Sequence, residues 1–251
     1  MKTLILIFFL FSSVVHSREI GQTEITTEEG IEVYQKEKYY LLKKNVQIES
    51  DNFILKAFNV KAHFDRDLYD ITDIYAEGDV HLNSTQGVKA IGKKVDYNII
   101  RQHIFIEGKN SYLENNQFKM KSDGLIELDN STGKFKLAGL NSQMISNDIN
   151  ITGGSIKGTF ININNENIVE KLIVEDKTEV NIKTETLNMF ALKAEFDKKN
   201  NIIKLYDNVK IFRGDELITG DQAEINTFTE SYKIKSKNSN KVKVLLKKTN
   251  E

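Results

Sequence analysis

The sequence predicts an all-β protein in which short antiparallel strands follow one another as a meander. Apolar and polar side chains alternate with a period of two, as where His81 separates Val80 from Leu82. Turn-forming residues interrupt these stretches, for example over residues 83–87. No segment keeps the helical spacing of apolar residues over three turns. The best candidate for a helix is residues 186–196, but their position within the repeat favours a strand.

The first residues have the form of a secretory signal. Lys2 precedes an apolar run over residues 4–15, and small residues before Arg18 suit a cleavage site. The run is shorter than the roughly 20 residues that a membrane-spanning helix needs. We therefore expect residues 1–17 to be a cleaved signal peptide, although an uncleaved membrane anchor is the alternative. The polar residues 18–38 are expected to form a flexible arm of an exported protein.

One unit of two strands and a turn recurs along the chain. Residues 77–98 and 206–226 are near-copies, in which a Gly-Asp-Val or Asp-Asn-Val triplet opens the unit. Equivalent positions in six units are separated by 31 to 36 residues, which is typical of repeat architectures. These positions are Val46, Val80, Ser111, Ser142, Thr178 and Val209.

The composition excludes several classes of function. A formal net charge of −1 argues against a nucleic-acid partner, and the absence of cysteine excludes thiolate catalysis and cysteine-based metal sites. The acidic cluster in residues 64–73 lacks the spacing of a calcium loop, and Gly153-Gly154 lacks that of a phosphate loop. Residues typical of a catalytic motif are not found, so we expect no enzyme activity, no cofactor and no metal.

Alternation also predicts which side chains point inwards, because residues two apart in a strand share one face of the sheet. Such a face is either an ordinary closed core or an open apolar trough, and the pattern is the same for both. The ten candidate inward, lipid-binding residues are Val46, Ile48, Val80, Leu82, Ile104, Ile106, Val180, Ile182, Val209 and Ile211.

The units resemble the OstA-like repeat of the LptA family of periplasmic lipopolysaccharide-transport proteins. The resemblance lies in Gly-Asn/Asp-Val-x-Ile/Leu, followed by a turn, a small residue and an aromatic residue next to Asp or Asn. It implies a twisted, partly open β-jelly roll over residues 39–248, either as one body or as two lobes, 39–165 and 170–248. The stretches that carry it are residues 44–48, 77–82 and 207–211, with their partners 57–65, 90–98 and 220–226.

The resemblance also implies a function without catalysis. Members of this family carry lipopolysaccharide from the inner to the outer membrane through an apolar trough between β-sheets. Such a trough removes a large penalty, because exposing acyl chains to water costs roughly 0.8 kcal/mol per CH₂ group. Two alternatives remain open at this point: an LptC-like membrane-tethered subunit of the same pathway, and a structural or adhesive exported β-repeat protein.

Open ends of a stacked sheet imply partners, because unpaired edge strands template a neighbouring strand. By resemblance, the partners are an LptC-like protein at the inner membrane, an LptD-like protein at the outer membrane, or further copies joined head to tail. The candidate first edge is residues 39–48, and the last is residues 232–237 or 242–246. Lysines around the last edge either limit indiscriminate pairing or contact lipid phosphates. They are Lys241, Lys243, Lys247 and Lys248.

Overall fold

The computed structural model describes residues 20–66, 70–85, 87–146, 149–164, 166–237 and 241–246. The predicted signal peptide, residues 1–17, lies outside the described residues. The part of the chain that is described contains eighteen β-strands and no helix. The strands are β1 (Glu24–Thr26), β2 (Gly30–Tyr34), β3 (Tyr39–Glu49), β4 (Phe53–Phe64), β5 (Ile71–Ser84), β6 (Lys89–Asn98), β7 (His103–Glu107), β8 (Ser111–Glu114), β9 (Phe118–Ser122), β10 (Leu125–Asp129), β11 (Lys134–Ser146), β12 (Ile149–Ile163), β13 (Glu166–Lys183), β14 (Asn188–Asp197), β15 (Ile202–Arg213), β16 (Glu216–Asn226), β17 (Ser231–Lys235) and β18 (Lys243–Leu246).

All pairings between these strands are antiparallel, and most strands pair with their neighbours in sequence. The order changes in the middle, where β6 pairs with both β7 and β8, and β11 pairs with both β9 and β10. The all-β, antiparallel fold class predicted from the sequence is confirmed.

The long strands bend at a corner near their middle. In β5 the register shifts between Glu77 and Val80, and the two residues between them, Gly78 and Asp79, have φ values of 79° and 48°. Positive φ is accessible to glycine and tolerated by Asn and Asp, so the Gly-Asp-Val signature encodes this bend. The corner of β15 is built the same way.

The corners divide the strands into two layers. We call sheet I the layer that contains β2, β7, β10 and β17 with the halves of the long strands that pair with them. Sheet II is the layer that contains β1, β8, β9 and β18 with the other halves. Within the described residues each sheet has fourteen strand segments.

The two sheets face one another like the sides of a wedge. Phe118 of β9 and Phe160 of β12 stack with their ring centroids 5.0 Å apart. Yet Phe118 pairs beside Ser146 at one end of β11, whereas Thr159 pairs beside Lys134 at the other end. The strand must therefore fold back at its corner. A closed crease runs along the corners, and a mouth that contacts between the sheets close in places runs along the strand ends, which agrees with the predicted partly open jelly roll.

The structure corrects the expectation of a flexible arm in residues 18–38. Strands β1 and β2 lie there and pair with the two halves of β3, so β3 is not the first edge. The physical reason is long-range: Ile25 lies opposite Ile48 and Ile31 opposite Leu42, extending the apolar interior by one strand in each sheet. In the sequence, residues 24–34 contain only short apolar stretches among four glutamates, so no local pattern indicated these two strands.

The last edge lies where it was expected. Within the described residues, β17 and β18 pair with the two halves of β16 and with no other strand. The boundary between the two suggested lobes is crossed by the antiparallel pairing of β12 with β13, whose register shifts next to Glu170. One repeat position is displaced, because the corner of β13 spans four residues and Val180, rather than Thr178, opens its second half.

Candidate functional site

The crease is lined by small residues where the sheets converge. Next to the corners, Val80 lies opposite Gly92 and Val209 opposite Gly220. A Cβ at Gly92 would lie 2.5 Å from Ile106 Cγ2 of sheet I, and a Cβ at Gly220 would lie 2.5 Å from the Cγ2 of Ile234. Any larger side chain would push the layers apart, so the wedge is narrowest here.

Three rows of cross-strand partners continue from the first edge to the last and form the apolar interior. The row of sheet II is Ile25, Ile48, Leu55, Leu82, Ala90, Leu113, Met120, Met144, Ile151, Ile182, Met189, Ile211, Ile218 and Val244. The inner row of sheet I is Ile31, Leu42, Val60, Ala76, Val95, Ile106, Ile126, Leu137, Ile156, Val174, Ala194, Leu205, Ala223 and Ile234.

The outer row of sheet I runs nearer the mouth. Its members are Val33, Tyr40, Ala62, Ile74, Tyr97, Ile104, Leu128, Phe135, Gly158, Leu172, Phe196, Ile203, Ile225 and Tyr232. No polar side chain other than the Tyr40, Tyr97 and Tyr232 phenols occurs in the three rows.

All ten predicted inward residues lie in this interior, with exposed fractions of 0 to 6%. Val46, Val80, Val180 and Val209 stand beside the crease in sheet II, whereas Ile106 lies in the inner row and Ile104 in the outer row of sheet I. The remaining four belong to the row of sheet II. The structure thus brings the ten residues together as packed core, and their contact with lipid stays a prediction.

Sequence reasoning did not find the mouth cavity, which lies between the rims of the two sheets in the second half of the chain. Its volume is about 600 Å³. We define the mouth cavity by its apolar lining and its polar rim. The apolar lining is Ile149, Ile168, Val169, Leu187, Phe196, Ile203, Ile225 and Phe228. The polar rim is Gln117, Ser146, Glu166, Asn167, Thr184, Glu185, Thr186, Lys198, Asn201, Asn226, Thr227 and Glu230.

Contacts between the sheets bound the mouth cavity on both sides. On the side of β9, the Phe118–Phe160 stack closes the mouth, and the Asn167 backbone N–H donates to Gln117 Oε1 at 2.9 Å. On the side of the last edge, the Tyr232 hydroxyl of sheet I donates to Glu216 Oε1 of sheet II at 3.1 Å. The cavity is therefore a lateral window into the interior and not the end of it.

The rim of the mouth cavity is acidic. Glu166 and Glu185 are exposed, and among the described residues neither makes an ion pair. Glu230 is paired with Arg213 at 3.3 Å, and Lys198 supplies the one basic side chain among the lining residues. Amide and hydroxyl groups make up most of the remaining rim, which suits neutral hydrogen-bonding partners.

The two ends of the stack are apolar inside and opposite in charge. The inward side chain of Ile31 is 46% exposed at the first edge, and that of Val244 is 49% exposed at the last edge. Residues 20–34 carry four glutamates and no Lys or Arg, whereas residues 231–246 carry five lysines and no Asp or Glu. Opposite charge next to unpaired edge strands favours pairing of one end with the other.

The described residues offer little else that could hold a ligand through polar chemistry. No group of three or more His, Asp or Glu side chains among them is arranged to bind a metal ion. None of them forms a helix long and apolar enough to span a membrane. The apolar interior, its mouth cavity and its two ends are thus the candidate functional surfaces.

Comparison with known proteins gave a match among solved structures alone. No protein-family model matches the chain, and no curated protein does. Fourteen chains of solved structures match. One is LptH, described as the LptA homologous periplasmic component of the conserved lipopolysaccharide transport device from Pseudomonas aeruginosa; the match covers 52% of this chain and 95% of that chain, with 12% sequence identity and a TM-score of 0.44.

Proposed function

We propose that this protein is a periplasmic bridge that carries lipopolysaccharide from the inner to the outer membrane, with its acyl chains held between sheet I and sheet II. The observation that carries the proposal is the unbroken course of three apolar rows from one open end to the other. The sheets are joined covalently at the corners, whereas at the mouth they meet through non-covalent contacts such as the Phe118–Phe160 stack, and the mouth cavity gives access to the interior from the side. The resemblance of the sequence units to the OstA-like repeat supports lipopolysaccharide as the cargo.

The energetics favour such a sheath without catalysis. A twelve-carbon chain in water costs on the order of 10 kcal/mol, at roughly 0.8 kcal/mol per CH₂ group. Separating the packed side chains of the interior costs far less free energy than exposing such a chain to water, provided that hydrocarbon takes their place at once. Apolar contacts between side chains are then exchanged for apolar contacts with the acyl chain. Loading then opens the mouth while the corners keep the two sheets joined.

Docking at the ends completes the path. The acidic first edge, β1 and β2, and the basic last edge, β17 and β18, fit a head-to-tail arrangement of copies. The same edges would join an LptC-like protein at the inner membrane and an LptD-like protein at the outer membrane. Exposed inward residues such as Ile31 and Val244 are then covered by the neighbour, which makes the apolar interior continuous across the junction.

Site-specific photo-crosslinking in living cells tests the cargo. A photoreactive amino acid at Leu82 or Ile211 should give adducts with lipopolysaccharide. The matched controls are the adjacent outward positions His81 and Lys210, which should give none, because they point away from the interior. Absence of adducts at both inward positions in a folded, exported protein would overturn the proposal.

Self-association as a function of salt tests the polarity of docking. Sedimentation velocity should show larger species at 20 mM than at 500 mM salt, since exposed charges are screened at high ionic strength. Replacing Lys241 and Lys243, at the sheet II side of the last edge, by Glu should weaken association, and mixing this variant with one carrying Glu24→Lys and Glu28→Lys at the first edge should restore it. Association of the lysine variant with itself at the level of the native chain would contradict charge-directed head-to-tail docking.

A further inference from the structure

We infer that the mouth cavity is a lateral binding site for one alkyl chain of a glycolipid whose sugar, and not a phosphate, lies at the rim. This inference rests on the proposed function and adds to it where a chain enters from the side and which headgroup chemistry is accepted there.

The size and lining of the mouth cavity suit hydrocarbon. A volume of about 600 Å³ falls within the range of roughly 300–1,000 Å³ typical of small-ligand sites. Ile203 and Ile225 form a buried floor in sheet I, and Leu187 and Ile149 lie across from them in sheet II, partly exposed. Such a surface gains by covering its partly exposed side chains with an alkyl chain.

The position of the mouth cavity explains why it opens sideways. The Phe118–Phe160 stack and the Tyr232–Glu216 hydrogen bond close the mouth on either side of it. The floor of the cavity belongs to the outer row of sheet I, so a chain seated there is in line with the interior. A chain can therefore pass from the cavity to the rows without crossing water.

The rim discriminates between headgroups by charge. Glu166 and Glu185 would face a phosphate at the mouth with like charge, and among the described lining residues only Lys198 carries a positive charge to oppose them. Sugar hydroxyls both donate and accept hydrogen bonds, so they pair with carboxylates and with amides such as Asn167 and Asn201. An uncharged saccharide is thus the headgroup that the rim fits.

Phe228 adds an exposed apolar group at the lip of the cavity. Its side chain is 82% exposed. The turn that presents it is fixed, because Asn226 Oδ1 accepts hydrogen bonds from the backbone N–H groups of Phe228 and Thr229 at 3.0 and 2.8 Å. An aromatic ring held there can cover the junction between an alkyl chain and its sugar.

The test compares two detergents with the same alkyl chain, dodecyl maltoside and dodecyl phosphate, below their micelle-forming concentrations. The chain contains no tryptophan, so Phe228→Trp places a single fluorescent reporter at the lip. We expect dodecyl maltoside to shift its emission and to bind about threefold or more tightly than dodecyl phosphate at low salt, the size expected of two exposed like charges.

Reversing the charges of the rim tests whether they cause the preference for dodecyl maltoside over dodecyl phosphate. The variant Glu166→Lys with Glu185→Lys should lose or invert the preference, whereas Glu37→Lys, in a rim turn at the opposite end, should keep it. Equal or tighter binding of dodecyl phosphate to the native rim would overturn the headgroup assignment. Failure of both detergents to bind would overturn the lateral site. If lipopolysaccharide adducts still form at Leu82 and Ile211, the proposed function as a bridge would stand without that site. If those adducts are lost as well, the proposed function itself fails.

Discussion

The corners at the flanks of the stack and those at its centre make the same bend with different chemistry. At the flanks, β5 and β15 pass through two residues of positive φ and continue with a buried valine, Val80 or Val209. At the centre, a three-residue corner leads to a buried serine, Ser111 or Ser142, whose hydroxyl donates to the carbonyl oxygen three residues earlier at 2.8 Å.

The central corners are also tied to each other. Ser122 Oγ lies 3.0 Å from Ser142 Oγ, and the Asp123 carboxylate accepts from the Asn110 backbone N–H at 3.1 Å and from Asn141 Nδ2 at 2.7 Å. A buried polar group is tolerated when every partner is present, and here each serine has one. The difference teaches that the repeat conserves a bend, and that either apolar packing or hydrogen bonding can hold it.

The largest effect should come from Gly124, at the centre. A Cβ there would collide with the carbonyl oxygen of Ala138 and lie 3.1 Å from Gly139 Cα, both backbone atoms that cannot turn aside. Gly124→Ala should therefore lower the free energy of unfolding by about 3 kcal/mol, measured by urea denaturation. In the control, Gly214→Ala, the new Cβ meets no atom and only the positive φ opposes it, so a loss near 1 kcal/mol is expected. Equal losses would remove the close approach as the cause.

Exchanging the two kinds of corner residue should cost less. Val209→Ser buries a hydroxyl and loses apolar contact, and Ser142→Val overfills the central crease and removes a donor from the Gly139 carbonyl. Each should lower the free energy of unfolding by about 2 kcal/mol, as measured by urea denaturation. Ile100→Ser, in an exposed turn, should change it little. Tolerance of both exchanges would show that the two corner chemistries are interchangeable after all.

Replacing a positive-φ asparagine by glycine should have different effects at a flank corner and at a central corner. Each replacement should change the free energy of unfolding by about 1 kcal/mol or less. Asn208 has a φ of 54° and makes no side-chain hydrogen bond among the described residues, so Asn208→Gly should raise stability. Asn141 has a φ of 55° and binds Asp123, so Asn141→Gly relieves strain but loses that bond. If the thermal unfolding midpoints of Asn208→Gly and Asn141→Gly rise equally, the hydrogen bond between Asn141 and Asp123 does not contribute to stability.

The smallest effect concerns how the stability contributed by Asp123 changes at acidic pH. Hydrogen bonds from the Asn141 side chain and the Asn110 backbone lower the pKa of Asp123 below its ordinary value of 3.8. Because the folded pKa lies below the unfolded one, this contribution to stability is present above pH 4 and is lost as the pH falls through the folded pKa. Asp123→Asn should thus lose stability at neutral pH, and the gap to the native chain should narrow towards pH 3. Urea midpoints that stay equally far apart at every pH would contradict this.

The sequence was sufficient for the strands from β3 onwards and for most of the corners, because both are local properties. Alternation marks a strand wherever it occurs, and positive φ demands Gly, Asn or Asp at the bend, as at Gly78 and Asn208. The displaced corner of β13 escaped because an Asx turn, with the Thr178 backbone N–H donating to Asp176 Oδ1 at 2.7 Å, needs no such residue pair.

The N-terminal strands and the mouth cavity could not be predicted, because their stability or shape arises from distant partners. β1 and β2 are too short to be recognised, and within the described residues each of them pairs with β3 and with no other strand. Phe196, Ile203 and Ile225 form one floor through the register of three strands, which no single stretch of sequence encodes. The ten inward residues were accessible to sequence reasoning because alternation alone decides which face they share.

The fourteen strand segments of each sheet have a consequence for distance. With neighbouring strands about 4.8 Å apart, one polypeptide extends for about 60 Å along its stacking axis. Over that span the apolar interior belongs to one covalent chain. Under the proposed function, an alkyl chain would therefore cross no junction between molecules at which water could enter. A long subunit lowers the number of junctions that any given gap requires.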